Sequence, residues 1–126
     1  MFSDQQLNHF RTFGFVRLRQ LLDSKEMERI TELTNRTLAA EPARPDVYPG
    51  HVHVAPFMEK VPELALLPED ERFYAAAEQL RGAGFVWGGS EANRGSFNAT
   101  NSHSWHCDRI GQIHLNYTRL KIMIYL

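Results

Sequence analysis

His106 and Asp108 stand two residues apart in the run Trp105-His106-Cys107-Asp108. In an extended chain, residues two apart project to the same side. The imidazole and the carboxylate then face one way and Cys107 faces the other. Side by side they supply two corners of a 2-His-1-carboxylate facial triad. That donor set suits Fe(II) and leaves coordination positions open for a co-substrate and dioxygen. The same pair also serves as a surface histidine and aspartate sharing a hydrogen bond, and spacing alone does not choose between the two. Cys107 reads as a small buried hydrophobe, with a redox-sensitive thiol as the other reading.

The remaining histidines offer fewer combinations. His51 and His53 form a second i, i+2 pair, and with His103 and His106 they make a four-donor zinc set in principle. Paired surface histidines are the plainer reading. His103 lies three residues before His106, so a straight strand points it to the opposite side. His114 follows the motif, and His9 falls on the first expected helix. Asn98, Thr100 and Asn101 either hydrogen-bond a carboxylate ligand or satisfy their own loop. Lys121 is an anionic-substrate contact or a solvated edge residue.

The elements that must position these groups are read from caps and periodicity. Ser3 and Gln6 form a capping box before a helix with Leu7, Phe10 and Phe13 on one face, and Gly14 ends it. Phe15-Val16-Arg17-Leu18-Arg19 alternates from Val16 onward and reads as a short strand. Asp23 and Glu26 repeat the capping box, and Met27, Ile30, Leu33, Thr37 and Leu38 give one apolar face to about Ala40. Pro42, Pro45 and Pro49-Gly50 make a loop. His51-Val52-His53-Val54 reads as a short extended piece. Residues 63–67 form one or two helical turns. Pro68-Glu69-Asp70-Glu71 starts a helix that buries Phe73, Ala76, Ala77 and Leu80 and stops at Gly82. Phe85-Val86-Trp87 reads as a strand and residues 88–101 as a polar run. Residues 119–126 alternate strongly, with Leu120, Ile122, Ile124 and Leu126 on one face and Arg119, Lys121, Met123 and Tyr125 on the other. The fold class expected is therefore α+β, helical over residues 1–83 and β-rich over residues 84–126.

Composition bounds the rest. The 126 residues make room for one domain, and 43% hydrophobic with 23% charged residues is ordinary globular usage. A net charge of −1 and no basic run give no reason to expect nucleic acid or an anionic membrane as partner. No apolar stretch approaches the ~20 residues of a bilayer span, and residues 1–5 carry no secretory signal pattern. A single cysteine excludes an internal disulfide and fits a reducing, cytoplasmic compartment.

The run Asp4-Gln5-Gln6-Leu7-Asn8-His9-Phe10-Arg11-Thr12-Phe13-Gly14-Phe15-Val16, then Leu21-Leu22-Asp23 before a long helix, then Trp105-His106-Cys107-Asp108 and the strand-like residues 119–126, resembles the phytanoyl-CoA dioxygenase family of Fe(II)/2-oxoglutarate oxygenases. The resemblance covers almost the whole chain in order and spacing. It implies helices preceding a double-stranded β-helix, a cupin-like jelly roll. It implies His106 and Asp108 as iron ligands, Fe(II) as cofactor, 2-oxoglutarate as co-substrate, and optional ascorbate. The activity implied is decarboxylation of 2-oxoglutarate to succinate and carbon dioxide, coupled to hydroxylation of a small or medium organic molecule. Tyr125 is a co-substrate or substrate contact if its strand face lines the barrel; otherwise it is a core tyrosine.

The family pattern also needs a distal histidine and a later arginine for the 2-oxoglutarate carboxylate. Eighteen residues follow Asp108, and His114, Arg109 and Arg119 come too early to match. Residues 84–126 number 43, whereas eight strands with turns need roughly eighty. The expectation is the N-terminal part of such an oxygenase, inactive as this chain alone. Two rivals are a short interaction module that homodimerises through the strand edge at residues 119–126, and a metal site completed by a partner chain.

Overall fold

The computed structural model describes residues 1–42, 51–95 and 118–126. In chain order it contains helix α1 (Asp4–Phe13), helix α2 (Ser24–Ala40), strand β1 (His51–Val54), three 3-10 turns (Met58–Lys60, Pro62–Leu64 and Leu67–Glu69), helix α3 (Glu71–Arg81) and strand β2 (Ala92–Gly95). The class is α+β, with a two-stranded antiparallel sheet.

Each long helix begins where its side chains satisfy free backbone donors. The Ser3 hydroxyl accepts from the Gln6 amide, and the Gln6 side chain accepts from the Ser3 amide. A cap of this kind contributes about 1 kcal/mol. Asp23 and Glu26 close the same reciprocal box at α2. Gly14 ends α1 at φ 79°, where its amide donates to the Phe10 carbonyl. A Cβ is disfavoured in that left-handed region, so glycine suits the position. Leu7 and Phe10 are half-buried, while Phe13 is exposed.

α2 supplies the centre of the core. Ile30, Leu33 and Leu38 from its inner face cluster with Val54 of β1, Phe57, Val61 and Leu64 of the turn region, and Ala92 of β2. Thr34 joins the buried face. β1 and β2 pair in the register His51↔Gly95, Val52↔Arg94, His53↔Asn93 and Val54↔Ala92. The period of two sends Val52 and Val54 to the core and leaves His51 and His53 on the other face. A Cβ at Gly95 would sit 3.1 Å from the His51 ring, so the strand pair closes over a hydrogen there.

α3 is clasped to the start of α2 by one side chain. Arg72 donates to both oxygens of Asp70 at 2.9 and 2.7 Å, to both oxygens of Glu26, and to the Leu21 carbonyl at 2.9 Å. These contacts use all five guanidinium N–H groups in its planar fork. The other end of the layer is tied by Gln79, which exchanges hydrogen bonds with the backbone of buried Phe2.

The clasp predicts an acid response. Hydrogen bonds from Arg72 hold the Asp70 carboxyl down to about 2, against an ordinary 3.8. A carboxyl depressed on folding contributes stability that is complete above its unfolded value and disappears as pH falls through its folded value. Amide-exchange protection of α3 is therefore expected to hold at pH 5 and weaken between about pH 4 and 2. In Asp70→Asn that step should be smaller. An unchanged acid step would show that other carboxyls carry it.

Three expected strands are absent among the described residues. Residues 15–19, 85–87 and 119–126 are the segments expected as strands, yet none is hydrogen-bonded into a ladder with a described residue. Alternation qualifies a segment to pair but supplies no partner. Over 118–126 only Leu120 and Ile124 are half-buried, and Ile122 and Leu126 of the same expected face are exposed. β2 arises instead inside the run read as a polar loop. β1 lies in the part expected to be helical, so one sheet joins the two parts.

Candidate functional site

His106 and Asp108, together with Trp105, Cys107, His103, His114, Asn98, Thr100 and Asn101, lie outside the described residues. β2 is the last described element before them and ends at Gly95, eleven residues ahead of His106.

Two carboxylates hold that region. Glu59, on the first 3-10 turn, accepts from the Ser90 hydroxyl and from the Trp87 indole N–H at 3.0 Å. The Ser90 oxygen in turn accepts from the Met58 amide at 2.7 Å and the Phe57 amide at 3.2 Å. The Ser90 hydrogen bond, the largest cause, holds the Glu59 carboxyl below its usual range; partial burial opposes it. This small network straps residues 87–90 onto the turn and delivers the chain into β2.

Glu91 is the second. It lies next to β2, 41% exposed at its side chain. Lys121 Nζ donates to Glu91 Oε1 at 2.7 Å, and His53 Nε2 lies 3.3 Å from Glu91 Oε2. The Lys121 hydrogen bond leads in lowering the Glu91 carboxyl, with His53 adding to it. Glu91 thus brings together β1, the entry to β2 and the segment 118–126. Lys121, expected as a solvated edge residue or an anion contact, is an ion-pair partner here.

Tyr125 is 81% exposed, and its hydroxyl donates to Met123 Sδ at 3.7 Å. That exposure does not fit the reading as a core tyrosine. No described residue places it against a metal or co-substrate pocket. His51 and His53 lie on the outer face of β1. Among the described residues, no three His, Cys, Asp or Glu side chains are grouped to hold a metal ion. The other two donors of the zinc alternative, His103 and His106, lie outside the described residues.

Sequence reasoning missed Glu59, Ser90 and Glu91. Their partners are about thirty residues away in the chain, and no local spacing announces such pairs. Among the described residues, no helix is long and apolar enough to cross a membrane. Comparison with family models, curated proteins and solved structures finds no match.

Proposed function

We propose that the chain contributes two iron ligands, His106 and Asp108, to an Fe(II)/2-oxoglutarate-dependent oxygenase built on a double-stranded β-helix. The observation that carries this reading is the resemblance of Trp105-His106-Cys107-Asp108, in its order after Asp4–Val16 and Leu21-Leu22-Asp23, to the phytanoyl-CoA dioxygenase family, with the i, i+2 pairing of an imidazole and a carboxylate as its chemical content. A borderline nitrogen donor beside a hard carboxylate oxygen fits Fe(II), and two donors leave several positions open. The capped helices α1 and α2 ahead of the motif support the reading by their order.

In this reading His106 and Asp108 hold the metal, which with 2-oxoglutarate and dioxygen supplies the oxidising chemistry for hydroxylating a small organic substrate. Glu59, Ser90 and Glu91 set the strand that leads into the ligand run. Tyr125 contributes a hydroxyl for co-substrate or substrate. The third ligand and the arginine for the distal 2-oxoglutarate carboxylate have no counterpart in this sequence. The 126-residue chain alone is thus expected to form no succinate from 2-oxoglutarate, Fe(II) and ascorbate.

Anaerobic Co(II) titration followed by visible absorption tests the ligand assignment. Binding by the wild-type chain should fall in both His106→Ala and Asp108→Ala. Equal binding in all three proteins, or none in the wild type, would sink the assignment. A second reading, a non-enzymatic module that dimerises through residues 119–126, draws on the exposure of Ile122, Met123 and Leu126 there. Sedimentation equilibrium discriminates it: a metal-independent dimer dispersed by Ile122→Lys favours this reading.

A further inference from the structure

We draw no further inference here: the strongest candidate, the open groove along α2 lined by half-buried Leu22, Met27 and Thr31 and by exposed Asp23, Glu28 and Glu32, carries nothing because nothing among the described residues shows what covers it.

Discussion

Replacing Leu33 by alanine is expected to destabilise the fold by about 2–5 kcal/mol, enough to lower the Tm by roughly 10 °C or more. Leu33 is 1% exposed and sits on α2 in the cluster that includes Val54, Phe57, Val61, Leu64 and Ala92. That cluster gathers two strands and the turn region around one helix face. The leucine side chain cannot be removed there without leaving a cavity, because its neighbours are held by separate elements that cannot all move in. Urea unfolding of Leu33→Ala checks the size. Leu66→Ala, at a site 69% exposed in the same turn region, is the control and should change stability by no more than about 0.5 kcal/mol. Equal effects at the two sites would mean that the core does not centre on α2.

The second large effect is expected at Arg72. In Arg72→Met the two carboxylates it joins, Glu26 and Asp70, lose a shared partner and are left as neighbouring like charges. A single surface ion pair contributes little, but a planar guanidinium using every donor on two carboxylates and a carbonyl is a different object. The Tm should therefore fall further in Arg72→Met than in Arg29→Met, where the lost partners are exposed Glu32 and Glu63. The Asp70 carboxyl, freed from the largest cause that depresses it, should rise toward the ordinary range, the backbone hydrogen bond from residue 72 still holding it partly down, and the acid step below pH 4 should shrink with it. Carbon-detected NMR titration of Asp70 reads this directly. A carboxyl that stays near 2 in Arg72→Met would assign the depression to the helix start rather than to the arginine.

The three long helices were legible because their signals are local. Ser3 with Gln6 and Asp23 with Glu26 each lie within one turn, and Gly14 and Gly82 stand beside the last helical residue. His51–Val54 was legible for the same reason, through its alternating valines. β2 was not. Ala92-Asn93-Arg94-Gly95 has no β-branched or aromatic residue, and β1 makes it a strand by pairing with it across some forty residues. The reverse holds for residues 119–126, whose apolar alternation is paired with no strand among the described residues. The His106 and Asp108 pair stands out in the sequence as a candidate ligand pair by its spacing of two, and it lies outside the described residues. The Glu91 junction with His53 and Lys121 depends on folding to bring three distant segments together, and its residue types are those of any solvated surface.

The hydrogen bond from Trp87 to Glu59 gives the protein an optical reporter of its own. The chain has two tryptophans, Trp87 and Trp105. One indole is tied to the strap that leads into β2, and the other adjoins the His106 and Asp108 pair in sequence. With Trp87→Phe the remaining emission belongs to the neighbourhood of the motif. With Trp105→Phe it belongs to the strap. A metal titration and an unfolding curve can then be followed separately in one unlabelled molecule. If Co(II) quenches the first emission and leaves the second unchanged, the ion is localised to the neighbourhood of Trp105 without any change to the proposed ligands His106 and Asp108.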